Sequence, residues 1–128
     1  MSLNTDSSKP IYIQIAEWLE TEILSGHIAV DEKVFSQYQL ADMFNINPAT
    51  AAKGLALLAD EAILYKKRGL GMFVTHEAKQ IIASKRKNRT LKNLVTETVL
   101  EASRLEVSET ELIEMIRAEQ RLIKGEER

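Results

Sequence analysis

Cysteine is absent from this sequence, which rules out both a disulfide framework and a thiolate metal centre. There is no apolar run approaching the roughly 20 residues needed to cross a bilayer. The opening stretch Met1-Ser2-Leu3-Asn4-Thr5-Asp6 also lacks the apolar segment of a secretory signal. A soluble, cytoplasmic chain with no membrane segment is therefore expected. Aromatic residues are only 5% of the total, so the core must be built mainly from Ile, Leu, Val and Ala. The two histidines, His27 and His76, stand far apart with no ligand-like spacing to a carboxylate, so no metal and no cofactor are expected. A phosphate-cradling glycine loop and a Ser/His/Asp or Cys/His set are missing too, which argues against an enzyme. Gly69-x-Gly71 sits in a hairpin pattern, the wrong context for a nucleotide loop.

What is present is a chain of 128 residues, 45% of them hydrophobic, enough for one small folded domain plus an accessory element. Its net charge of −2 hides a strong segregation. Residues 1–61 carry three bases against nine acids, a local charge of −6. Residues 62–92 carry nine bases against Glu77 alone, giving +8, and residues 93–128 return to −4. A polyanion responds to the local field and not to the total.

Residues 1–9 read as a disordered lead-in. Pro10 opens a helix whose apolar stripe is Ile11, Ile15, Trp18, Leu19 and Ile23, with Glu17 and Glu20 toward solvent. Ser25-Gly26 ends it. A turn at Asp31-Glu32 and a very short strand at Lys33-Val34-Phe35 follow. Ser36 caps a second helix over Gln37–Phe44, with Leu40, Ala41 and Phe44 inward. Asn45-Ile46 turns the chain, Ile46 acting as a buried plug. Asn47 and Pro48 then start a third helix, reaching about Asp60, with Ala51, Leu55 and Leu58 inward. Gly54 in its middle costs roughly 1 kcal/mol relative to Ala, and its small size would suit close helix packing. Two strands at Ile63–Lys67 and Met72–Thr75 flank Arg68-Gly69-Leu70-Gly71, whose glycines supply the positive φ of a tight hairpin. Helical periodicity resumes at Glu77, with Lys85-Arg86-Lys87-Asn88 marking a bend or break. Ser108-Glu109-Thr110-Glu111 is a capping-box pattern that starts a last helix, and Gly125 to Arg128 should fray.

Three helices followed by a two-stranded hairpin is the order of a winged helix-turn-helix, whose third helix enters the major groove of DNA. The fold class expected is mostly α (α+β): a lead-in at 1–9, a winged helix-turn-helix at 10–76 and a helical dimerisation region at 77–128.

Several stretches, in this order, resemble the GntR superfamily of bacterial regulators, and most closely its short YtrA-type branch. They are Pro10-Ile11-Tyr12-Ile13-Gln14-Ile15-Ala16, Ile23-Leu24-Ser25-Gly26, Ser36 with Leu40-Ala41, Asn47-Pro48-Ala49-Thr50, and Tyr65-Lys66-Lys67-Arg68-Gly69-Leu70-Gly71-Met72-Phe73-Val74. The resemblance covers about half the chain. It departs at Val30-Asp31, where the family has Pro-Gly, at Phe35 for Pro, at Tyr38 for a basic residue, and at Ala49, Ala52 and Ala56 for polar or basic ones.

The residues expected at double-stranded DNA are Ser36, Gln37 and Tyr38 at the start of the second helix, Ala49, Thr50 and Lys53 on the third, and Lys66, Arg68, Gly69 and Gly71 on the wing. Ala49, Ala52, Lys53 and Ala56 share one face, so bidentate base donors are few and alanine methyls would meet thymine methyls. Ser36 caps its helix in any case. Tyr38 is either a phosphate-facing hydroxyl or a half-buried packing residue. Strand alternation lets only one of Lys66 and Lys67 face DNA. The Lys85–Lys92 run reads as a solvated, linker-like stretch.

The last third is too short for a ligand-binding domain with its own core, yet its apolar stripes need cover. Pairing with a second copy supplies that cover, and the YtrA-type resemblance implies the same compact helical dimerisation region. Leu91, Leu94, Val95, Leu112, Met115 and Ile116 are the residues expected at this homodimer interface. An apolar pocket between the helices would admit a small hydrophobic effector, though no residue demands one. The functional expectation is a DNA-binding transcription repressor acting on a palindromic operator. The alternative is a winged-helix protein-interaction module that does not bind DNA.

Overall fold

A computed structural model describes residues 3–5 and 8–126. The chain divides into two compact units, residues 1–86 and 87–128.

In the first unit, α1 (Ile11–Leu24), α2 (Gln37–Phe44) and α3 (Pro48–Asp60) precede an antiparallel hairpin, β1 (Leu64–Lys67) and β2 (Gly71–Val74), and then α4 (Ala78–Arg86). This is a winged helix-turn-helix. Its core joins Ile15, Leu19 and Ile23 of α1 to Leu40 of α2, Leu58 of α3, and Ile63 and Val74 beside the hairpin. Trp18 closes one side, its ring centroid 5.9 Å from Phe35 and 5.1 Å from Phe44, edge-on to the latter. Gly54 sits where α3 crosses α1. A Cβ there would lie 2.9 Å from the Tyr12 main-chain oxygen and 3.2 Å from Ile15 Cγ2, so only glycine allows this approach. Ile46, expected as a buried plug, is half-buried against the core.

Two expectations change here. Glu20 is buried at 1% exposure and does not face solvent. It follows Ala16 by one turn on the column of α1 that α4 covers, and Lys85 and Arg86 of α4 meet its carboxylate. These two cations are accordingly half-buried and not a solvated linker. The unit also runs ten residues past the boundary expected at 76, because Ala78 and Ile82 are fully buried in its core.

Residues 1, 2, 6 and 7 of the expected lead-in lie outside the described residues. Of the others, Leu3 packs on the core. Asn4 exchanges two 2.8 Å hydrogen bonds with the Gln14 side chain, so the order here begins before Pro10.

In the second unit a single π-helical turn, Lys87–Leu91, leads into α5 (Lys92–Arg104), and α6 (Glu109–Glu126) returns. The π turn falls within the basic run where a bend was expected. Ser108 Oγ accepts from Glu111 N at 3.2 Å, capping α6 as its sequence promised. The helix continues through Gly125 to Glu126, and residues 127 and 128 lie outside the described ones. Ala102, Val107 and Leu112 are half-buried, and every other described side chain of this unit is exposed. Two helices alone cannot bury two apolar stripes.

Candidate nucleic-acid interface

The second helix is fixed by a reciprocal cap. Ser36 Oγ accepts from Gln39 N at 3.1 Å, and Gln39 Oε1 accepts from Ser36 N at 2.8 Å. Asn45, in the left-handed conformation with φ 54°, turns the chain toward α3. Asn47 Oδ1 accepts from Ala49 N at 2.8 Å, with Pro48 in the first turn. These caps leave the outer side of α3 bare, with Ala49, Lys53 and Ala56 exposed, Thr50 and Ala52 half-buried, and Ala51, Gly54, Leu55 and Leu58 inside. The Lys53 ammonium is not extended straight outward. It lies 4.1 Å from the centroid of the Tyr12 ring, leaning over α1 in a cation–π contact.

The hairpin register pairs Leu64 with Val74 through Lys67 with Gly71. Its tip is a tight turn in which Leu70 N donates to Lys67 O at 2.9 Å. Gly69 and Gly71 take φ of 78° and 118°, values that side-chain-bearing residues avoid. Arg68 and Leu70 are exposed there. Residues 31–34 run along the other edge of β2: Asp31 N donates to Val74 O at 2.8 Å, Val34 N to Met72 O at 2.9 Å, and Lys33 bridges Phe73. The expected short strand is thus a single bridge that ties the start of α2 to the wing.

Of the expected DNA residues, Ser36, Gln37, Tyr38, Lys66 and Gly71 line one cleft of about 260 Å³, together with Lys33. Tyr38 is 69% exposed and so is not the half-buried packing residue that was one of its two expected settings. Lys67 points elsewhere, its ammonium 4.5 Å from the Phe73 ring centroid, so Lys66 alone of that pair shares the cleft. Ala49, Thr50, Lys53, Arg68 and Gly69 lie outside it.

The Phe73 ring stacks on Tyr65 at 5.8 Å. Tyr65 in turn donates its hydroxyl to Asp31 Oδ1 at 2.8 Å, while His76 Nε2 stands 3.0 Å from Asp31 Oδ2. The Tyr65 hydrogen bond is the main reason that the Asp31 carboxyl is held below its ordinary range and the Tyr65 phenol above its own. Sequence reading missed this tether at the base of the wing, because its partners lie 34 residues apart.

In the second unit, Leu91, Leu94, Val95, Met115 and Ile116 are exposed and Leu112 is half-buried. An apolar cleft of about 330 Å³ opens between α5 and α6, with Ala102, Leu105, Val107, Leu112 and Met115 in its lining. Among the described residues no cluster of His and carboxylates could hold a metal, and no helix is long and apolar enough to cross a membrane.

Comparison with known proteins bears on this geometry. The model of a family described as "Bacterial regulatory proteins, gntR family" matches residues 11–74. The HTH-type transcriptional repressor NagR of Bacillus subtilis (strain 168) is 37% identical over 75 residues, which make up 59% of this chain and 31% of NagR. The match thus spans about a third of that relative's length. The HTH-type transcriptional repressor YtrA of the same organism is 27% identical over 98% of this chain and 95% of its own. Among solved structures, a GntR family transcriptional regulator from Listeria monocytogenes has a TM-score of 0.70 at 30% identity, covering 88% of this chain and 97% of that one. AraR(DBD), solved in complex with operator ORX1, has a TM-score of 0.54 at 26% identity, covering 59% of this chain and 95% of its own.

Proposed function

This chain belongs to the gntR family of bacterial regulatory proteins, in its short YtrA-type branch, and from that membership we propose that it represses transcription by binding a palindromic operator as a homodimer. It is a regulator and not an enzyme. The observation that carries the proposal is the bare outer side of α3 beside a wing whose Lys66 shares a cleft with the start of α2. A helix of this kind fits the major groove, while the wing reaches the backbone or the minor groove.

The chemistry of the two parts differs. Ala49, Thr50 and Ala56 offer methyl groups to thymine methyls and few hydrogen bonds to base edges. Much of the affinity then comes from Lys66, Arg68 and the capped N-terminus of α2 acting on phosphates, and part of the selectivity from duplex shape. The same resemblance to NagR and YtrA, both named as repressors, supports repression over activation. The protein would work in the cytoplasm, where its operator lies.

Dimerisation falls to the second unit. Leu91, Leu94, Val95, Met115 and Ile116, with the half-buried Leu112 beside them, form apolar faces left largely open in one chain, and a two-fold copy would cover them. A small hydrophobic effector in the cleft between α5 and α6 would act by altering that interface.

The test is a salt series on the purified full chain with duplex from the region upstream of its own gene. Affinity should fall by orders of magnitude between about 50 and 200 mM salt, as for a protein neutralising several phosphates. Absence of binding to that duplex, or binding indifferent to salt, would favour a protein-interaction module instead.

A further inference from the structure

We infer that Lys33, at the outer edge of the wing, is a further contact to the DNA backbone and that Gly71 holds it in position. The inference rests on the DNA-binding function proposed above. Lys33 lies outside the basic block, in a stretch of net negative charge, and only the fold brings it to the cleft.

Three features fix it there. The bridge to Phe73 and the flanking hydrogen bonds of Asp31 and Val34 to β2 set the register of its backbone. Its side chain then runs across Gly71. A Cβ on that residue would stand 2.8 Å from Lys33 Cε and 3.7 Å from Nζ, so the missing side chain is the channel through which the lysine passes. The cleft it joins holds Lys66, Ser36 and Tyr38, and no carboxylate lines it. Lys33 is exposed and makes no ion pair with the described residues. Two lysines lining one concave surface that no carboxylate lines suit a phosphodiester. Tyr38, on the same surface, brings a hydroxyl but no charge, so Lys33 supplies the cation that the start of α2 lacks.

Binding of the full chain to its upstream duplex, followed by fluorescence anisotropy across a salt series, tests this. Lys33 is present in both protomers of the proposed dimer, so its loss removes two phosphate contacts and lowers the slope of log K against log salt by about 1.8, equivalent to roughly sixtyfold in affinity at 0.1 M. Lys33→Gln should show that loss, and Lys33→Arg should retain the wild-type slope. Lys79→Gln removes an exposed charge from α4 and should leave the slope nearly unchanged. Gly71→Ala should lower the slope more in the wild-type background than in the Lys33→Gln background, since the wing damage common to both cancels in the difference. An unchanged slope in Lys33→Gln overturns the inference, as does an equal loss in Lys79→Gln or an equal effect of Gly71→Ala in both backgrounds. A wild-type chain without salt-dependent binding would instead defeat the proposed function, a separable result.

Discussion

Arg86 reaches back to the first helix, its Nη2 3.3 Å from the buried Oε1 of Glu20 and 2.6 Å from the main-chain oxygen of Glu17. The neighbouring Lys85 ammonium contacts the other Glu20 oxygen and also donates to Glu61 at 2.9 Å. Two cations from the last turn of α4 thus tie together carboxylates from α1 and the end of α3. A buried carboxylate is tolerable only because both of its oxygens meet positive charge.

Glu20→Gln keeps the size of the side chain and removes its charge. Breaking a fully buried pair costs about 3–5 kcal/mol. Lys85 and Arg86 retain some access to water, so a loss of about 1–3 kcal/mol is expected. Urea unfolding of the full chain measures it, and unaltered stability would remove the cluster from the account of the fold.

The same cluster predicts a response to alkali. Burial works to lower the Lys85 pKa, but Glu20 and Glu61 together outweigh it and hold the ammonium above the ordinary lysine value. A raised folded-state pKa stabilises the protein below the unfolded value of about 10.5, and this contribution is lost as pH climbs through the folded value. Lys85→Arg, whose guanidinium stays charged, should therefore show a shallower fall in melting temperature than wild type between about pH 10 and 12. Parallel curves would contradict the assignment.

Gly54→Ala sets helix propensity against space. Alanine favours the helix by roughly 1 kcal/mol, yet its methyl would press on the Tyr12 oxygen and on Ile15, and overpacking typically costs about 1–3 kcal/mol. A net destabilisation of about 1 kcal/mol is expected in thermal melts. A more stable variant would show that α1 and α3 separate without difficulty.

Ile116→Glu places a carboxylate on the exposed apolar face of α6. If that face is the two-fold interface, the variant should sediment as a monomer where wild type is a dimer, since an unpaired charge is costly to bury. Operator affinity should fall with it. A wild-type-like dimer would exclude Ile116 from the contact.

Local signals account for most of what the sequence disclosed. Ser36 and Asn47-Pro48 announce helix starts because caps act within three residues, and Gly69 and Gly71 announce the hairpin because positive φ is a property of single positions. Periodicity then fixed the inner faces of α2 and α3. Relationships distant along the chain were not legible in that way. Glu20 read as solvent-facing because nothing near it reveals that α4, some 60 residues later, covers its column. The break in apolar pattern at Lys85-Arg86 was the available clue. Lys33 escaped notice because one bridge to Phe73 decides its place, and the lean of Lys53 toward Tyr12 depends on the α1–α3 crossing.

A hydroxyl-radical footprint of the full chain on its upstream duplex tests the central claim most directly, because it records where both protomers touch the backbone. We expect two protected patches related by a dyad, their centres about 10–10.5 base pairs or a multiple apart. One patch without a symmetric counterpart, or no protection at all, would contradict a dimer that presents α3 and the wing to DNA.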